Sequence, residues 1–187
     1  VKANRKAKRK RTSCTTCEHN VFTHFPRDPN CEICQNNKVH KAYCRSKAES
    51  APDALPKPKE WLDSITADHK ILNEDDASRN HDKTAFVVQD RVTFWIQSYA
   101  APTKSTRDTK KALQKFVGPQ GKVKHLYSDN SGEIAKAADE LDWSHDTSTP
   151  HRSETNGIAE SAVKRVKEGT SCTLSQSGFS DEWWVQA

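Results

Sequence analysis

The sequence predicts an α/β fold, a sheet domain flanked by helices and preceded by a small metal-binding module. Three observations predict it. Strand-like and helix-like segments alternate from residue 61 onward, cysteines and histidines cluster at paired spacing between residues 14 and 44, and a proline-rich stretch separates the two regions.

The N-terminal residues 1–13 form a basic arm. VKANRKAKRKR reads equally as a disordered, solubilising tail or as a nuclear-localisation run. Residues 1–50 hold 12 Lys and Arg against 4 acids, whereas the other 137 residues carry a slight acidic excess within a total net charge of +5. That asymmetry is expected if the N-terminal part touches nucleic acid and the acidic remainder holds metal.

Residues 14–44 contain Cys14-x2-Cys17 and Cys31-x2-Cys34, with His19 and His24 between the pairs. Nothing resembles a secretion signal, so paired thiols read as zinc ligands more readily than as disulfides. The spacing leaves two quartets open: Cys14, Cys17, Cys31 and Cys34, or His19, His24, Cys31 and Cys34. Cys31 and Cys34 belong to both, while Cys44 and Cys172 belong to neither. A segment this short buries no core of its own, so bound zinc would have to fold it. Residues 45–60 (RSKAESAPDALPKPKE) carry three prolines and mark a linker.

From residue 61 the chain reads as a domain. WLDSITADHKIL alternates as a strand ending near Asp68, and Ala85 to Gln89 and Thr93 to Tyr99 are two more strands joined by a turn at Asp90 and Arg91. Thr106 caps a helix with Ala112, Leu113, Phe116 and Val117 on its apolar face and a Gly-Pro stop after it. Val123 to Tyr127 is a fourth strand, Ile134 to Trp143 a helix, and Ser144 to Ser148 a fifth short strand. A last helix begins with Asn156 as cap and buries Ile158, Ala159, Ala162, Val163 and Val166, leaving Glu160, Lys164 and Lys167 on another face. That polar face is either a solvated Glu-to-Lys surface or an acid beside two bases, which suits a metal next to a phosphate backbone. The closing FSDEWWVQA looks like the start of a further helix, as in an excerpt of a longer polyprotein.

Mean hydropathy is −0.94, and no apolar run reaches the length of a membrane span. A soluble, intracellular protein without membrane association is expected.

The segments SDNSGE (128–133), TSTPHRSETNGIAE (147–160) and the VKRVKEGT that follows resemble the integrase core of long-terminal-repeat retrotransposons, closest to copia-type elements. The resemblance runs from about His19 to the last residue. It implies a ribonuclease-H-like core over 61–187, with a five-stranded mixed sheet flanked by helices. It also implies that Asp129 and Glu160 are the second and third members of a D,D,E triad. The first is Asp68, in ITADHK, with Asp63 competing for the role. THFPRDPNCEICQNNK is similar to the His2Cys2 module that precedes such cores, which favours zinc on His19, His24, Cys31 and Cys34.

The implied chemistry is phosphoryl transfer: trimming of element ends, then joining of their 3′-hydroxyls to target DNA. Two Mg²⁺ or Mn²⁺ ions about 3.5–4 Å apart, held by oxygen ligands, serve such a reaction. Asp68 would bridge the ions, with Asp129 and Glu160 holding one each. His151, Arg152, Asn156, Lys164 and Lys167 are the expected DNA contacts. Proteins of this type act as multimers on two DNA ends, so the expected partners are DNA and further copies of the chain. The expected location is the nucleus, after a cytoplasmic particle stage. The chain departs from the pattern at Ser153, Glu154 and Ser161, where Pro, Gln and Arg are usual, and the 30 residues between Asp129 and Glu160 are fewer than usual. Two alternatives stay open: an inactive relic that binds nucleic acid, and a ribonuclease-H-like nuclease.

Overall fold

The structure, a computed structural model, describes residues 19–38, 57–148 and 153–187, with the backbone alone for 153–156. The basic arm, Cys14, Cys17, Cys44 and most of the proline-rich linker lie outside the described residues.

A small module contains one short helix, α1 (Glu32–Asn37). The sheet domain follows as β1 (Ile65–Ile71), β2 (Thr84–Asp90), β3 (Ile96–Ala101), α2 (Thr106–Val117), β4 (His125–Ser128), α3 (Gly132–Asp139), β5 (Ser144–Thr147) and α4 (Ser153–Ser177). The strands lie in the order β3-β2-β1-β4-β5, with β1 antiparallel to β2, β2 antiparallel to β3, β4 parallel to β1, and β5 parallel to β4. This is the five-stranded mixed sheet that the resemblance implies.

Strand alternation sorts the two faces. Ile65, Ala67, Phe86, Val88 and Leu126 point to one side, where they form the core with Ala112, Leu113 and Phe116 of α2 and Ile134, Ala137 and Ala138 of α3. Thr66 and Asp68 point to the other side. There α4 packs on β1 and β2, with Ala159 and Ala162 buried. Two alanines one turn apart let the helix approach closely enough to bring its backbone near the strands.

Several boundaries differ from the sequence expectation, each for a local reason. β1 continues past Asp68 to Ile71 because β2 pairs with it throughout, from Ile65 opposite Asp90 to Ile71 opposite Thr84. β3 begins at Ile96 rather than Thr93, because the Asp90 carboxylate gathers Thr93 into the turn. Ser105, not Thr106, caps α2: its Oγ accepts the Asp108 N–H at 3.1 Å and donates to the Asp108 carboxylate at 2.8 Å. Gly118 ends that helix in the left-handed region, φ 77°, as the Gly-Pro stop suggested. α3 stops at Asp139, and Trp143 lies in the following loop, its N–H bonded to the Ala138 carbonyl. α4 starts at Ser153, so Asn156 lies inside it and is not its cap. Ile158 is 42% exposed and does not belong to the buried stripe. Past α4, Asp181–Trp183 makes a single 3-10 turn in place of the suggested helix. Among the described residues, no helix is long and apolar enough to cross a membrane.

Asp90 is the principal polar anchor of the β2–β3 turn. Fully buried, its carboxylate accepts the Val92 and Thr93 N–H groups and the Thr93 hydroxyl on one oxygen and the Leu62 N–H, 28 residues away, on the other. Asp90→Ala strands all four donors, so it is expected to cost about 3 kcal/mol or more, and Asp90→Asn about half that. Urea denaturation checks this; a loss below about 1 kcal/mol for the alanine variant contradicts it.

Candidate carboxylate and metal-ligand sites

The parallel register of β1 and β4 decides where two acids meet. Ile65, Thr66 and Ala67 pair with Leu126, Tyr127 and Ser128, so the next residue on each strand, Asp68 and Asp129, come side by side where the strands part. Both lie on the α4 face of the sheet. Crevices beyond the carboxyl ends of parallel strands are common ligand positions in such sheets. Glu160, exposed in the first half of α4 next to the buried Ala159, is near enough for its charge to act on Asp68.

The electrostatics follow from that placement. The Asp68 carboxyl is pushed up to about 6, first by burial, then by the charge of Asp129, with Glu160 adding to it. The Asp129 Oδ1 is buried without a hydrogen-bond partner. Asp68 and Asp129 thus offer oxygen donors with surplus negative charge, the chemistry that suits a hard divalent cation. Among the described residues the three acids are not gathered into a closed ligand group as the His/Cys quartet below is. Asp63 is engaged elsewhere. Its carboxylate takes the N–H groups of Lys59 and Glu60 and pairs with Lys124 at 2.6 Å, which pulls it down to about 2. It stands apart from Asp68 and Asp129.

Neighbouring groups support the acids in ways the sequence did not reveal. The Ser128 hydroxyl donates to the Asp129 carbonyl and accepts from His145 Nε2, both at 2.8 Å. Burial lowers the His145 imidazole, which keeps it neutral and able to hold this tautomer. The chain His145–Ser128 thus fixes the Asp129 main chain and leaves its carboxylate free. Lys104, just before α2, pairs with Glu133 at 3.5 Å and lies within electrostatic reach of Asp68. On the opposite sheet face, a hollow of about 410 Å³ between β2, β3 and α2 is lined by Phe86, Tyr99 and Thr109; it is separate from the acids. Only the β4–β5 pairing brings His145 near Ser128, which is why local periodicity could not find it.

Of the expected DNA contacts, His151 and Arg152 lie outside the described residues, and the Asn156 side chain is likewise not described. Lys164 pairs with Glu168 at 3.1 Å, one turn further along α4, rather than with Glu160. Lys167 is exposed.

The second site is in the small module. One ligand atom from each of His19, His24, Cys31 and Cys34 lies within 4.8 Å of all the others. His24 Nδ1 is 3.5 Å from the Cys31 sulfur and 3.6 Å from the Cys34 sulfur, and His19 Nε2 is 4.0 Å from the Cys34 sulfur. A tetrahedral zinc ion with ordinary Zn–S and Zn–N bonds sets N and S ligands about 3.6 Å apart. The other imidazole nitrogens are occupied: His19 Nδ1 donates to the Pro26 carbonyl at 2.8 Å, and His24 Nε2 donates to Gln176 Oε1 at 3.1 Å. That arrangement leaves Nε2 of His19 and Nδ1 of His24 to bind metal. The Cys31 thiol is drawn down to about 7 by the Cys34 backbone N–H, which outweighs its burial, and by both histidines. Burial pushes Cys34 the other way, so a thiolate there calls for a cationic partner. The four residues fit a zinc ion.

No protein-family model matches the chain. The retrovirus-related Pol polyprotein of transposon RE2 from Arabidopsis thaliana is 29% identical over 164 residues, which cover 84% of this chain. The chain spans 11% of that polyprotein's length. Among solved structures, the catalytic core domain of BIV integrase is similar at 15% identity and a TM-score of 0.47, with 67% of this chain and 79% of that one covered. The chain is thus similar in sequence to one stretch of a transposon's retrovirus-related Pol polyprotein, and its described residues form a five-stranded mixed sheet flanked by helices.

Proposed function

We propose that this chain is the integrase segment of a copia-type retrotransposon polyprotein, acting in metal-dependent 3′-end processing and strand transfer of element ends into target DNA. The observation that supports the reading is the pairing of Asp68 and Asp129 at the adjacent ends of β1 and β4, with the charge of Glu160 on α4 also felt at Asp68. Mg²⁺ or Mn²⁺ held by these acids would supply the positive charge that activates a water or a DNA 3′-hydroxyl and steadies the leaving oxygen.

The residues divide the work. Asp68 and Asp129, adjacent across β1 and β4, form the rigid side of the site, and Glu160 closes it from α4. Ser128 and His145 hold the Asp129 main chain in register. Lys167, with His151, Arg152, Asn156 and Lys164, contacts the DNA backbone near the reacting phosphate. Zinc on His19, His24, Cys31 and Cys34 folds the N-terminal module. Two DNA ends call for more than one copy of the chain, and chromosomal target DNA implies action in the nucleus after a cytoplasmic particle stage.

A second reading, an inactive relic that still binds nucleic acid, is favoured by Ser161. At the position where the resemblance has arginine, its hydroxyl bonds back to the Gly157 carbonyl at 2.6 Å and offers no charge to a phosphate.

A disintegration assay on branched DNA with Mn²⁺ separates the two. Joining by the parent chain, abolished by Glu160→Gln and by Asp129→Asn, supports the integrase. No joining by folded, zinc-loaded protein supports the relic.

A further inference from the structure

Gln176 lies on α4, 152 residues after His24, yet its Oε1 accepts the proton on His24 Nε2. It acts on the ring whose other nitrogen faces both cysteine sulfurs. Around this contact the module and the helix are joined repeatedly. Ser175 donates to Asn37 Oδ1 at 3.0 Å, and the Arg165 guanidinium lies 5.7 Å from the Phe25 ring. Helix α1 packs on α4, and Cys172 and Leu174 are buried on this part of the helix.

Glu160 and Gln176 share one unbroken helix of 25 residues, about 24 Å apart at 1.5 Å per residue. That helix packs on β1 and β2 and also on α1, and near its C-terminal end Ser175 and Gln176 bond to the module. We infer that Gln176 is an outer-sphere residue of the His19–His24–Cys31–Cys34 cluster, locking the His24 tautomer, so that metal binding in the module clamps the C-terminal half of the helix that carries Glu160. The inference rests on the zinc reading above and adds to it a residue outside the quartet and a mechanical link between the two sites. Outer partners of this kind typically contribute 10- to 100-fold to metal affinity, because an unheld imidazole must be oriented at the expense of binding.

Two variants test it. Gln176→Leu removes the acceptor and keeps a side chain of similar bulk, and Gln176→Glu keeps an acceptor and strengthens it. Gln176 is exposed outside its bond to His24, so both are expected to fold. Zinc affinity is read by competition with a chromophoric chelator, and Co²⁺ absorption reports whether two sulfurs and two nitrogens bind tetrahedrally. The leucine variant is expected to bind zinc about 10- to 100-fold more weakly with the Co²⁺ spectrum unchanged, and the glutamate variant at least as tightly as the parent. Hydrogen exchange should show zinc slowing residues 169–177 in the parent and doing so less in the leucine variant. Leucine-variant affinity within twofold of the parent, or exchange at 169–177 indifferent to zinc, overturns the inference alone. A parent chain that takes up no zinc overturns the zinc reading and the inference together.

Discussion

Asp68→Asn is expected to stabilise the protein in the absence of Mg²⁺ and Mn²⁺ at pH 7.5 while removing its DNA-joining activity. The Asp68 carboxyl titrates at about 6 in the fold against an ordinary 3.8, chiefly because burial and then Asp129 disfavour its charge. Between those two values the folded chain holds the proton more tightly than the unfolded chain, so stability falls as pH rises through that window. The penalty is absent below about pH 4 and complete above about pH 6. Allowing for solvent screening at a half-buried site, it is about 1–2 kcal/mol, and asparagine removes it. The variant should therefore melt several degrees above the parent at pH 7.5, and the two should converge near pH 4. Adding Mn²⁺ should raise the parent's melting temperature and leave the variant's almost unchanged, while joining in the disintegration assay falls about 10²-fold or more in the variant. Thermal melts across pH in zinc-replete buffer, with and without Mn²⁺, check all three. A variant less stable than the parent at pH 7.5 would show that Asp68 is a structural acid and not a member of a charge-strained metal site.

The strands and α2 could be read from the sequence because their signals are local: alternation in Ile65–Ile71 and Thr84–Asp90, and the apolar spacing of Ala112, Leu113 and Phe116. The choice between Asp63 and Asp68 could not, since both lie in one strand-like segment. It turns on Ala67 standing opposite Ser128, a register between segments about 60 residues apart. The start of α2 is ambiguous in sequence because Ser105 and Thr106 have similar capping chemistry, and α4 begins at Ser153, three residues before the cap that the sequence suggests. Ile158 looked buried because a helical stripe specifies a direction and not where the partner surface ends. The links His145–Ser128 and Gln176–His24 join different elements, and no periodic pattern encodes them. The two zinc quartets differ only in residues before Cys31, and spacing alone favours neither. The described chain gathers His19 and His24 with the two shared cysteines.

Removing zinc is expected to unfold the module and spare the sheet. Among the described residues 19–38 the buried side chains are His24, Cys34 and Lys38, two of them candidate metal ligands. The apolar side chains Val21, Phe22 and Phe25 are 56%, 76% and 58% exposed. The segment thus has no hydrophobic core to hold it when the metal leaves. In small zinc modules, metal binding supplies about 10–16 kcal/mol near neutral pH, and that free energy is the folding free energy. His24 also sits in the left-handed backbone region at φ 51°, a conformation that needs surrounding contacts to persist. Cys34→Ser removes the fully buried sulfur that approaches both histidines, so it should abolish high-affinity zinc binding and reproduce the chelated state. In both cases hydrogen exchange should become fast across residues 19–38, α1 included, and faster in 169–177. Exchange in β1 and β2 should stay slow, because their core is built with α2 and α3 and owes nothing to the module. Protection of α1 that survives both chelation and Cys34→Ser would mean that packing on α4, and not the metal, folds the module.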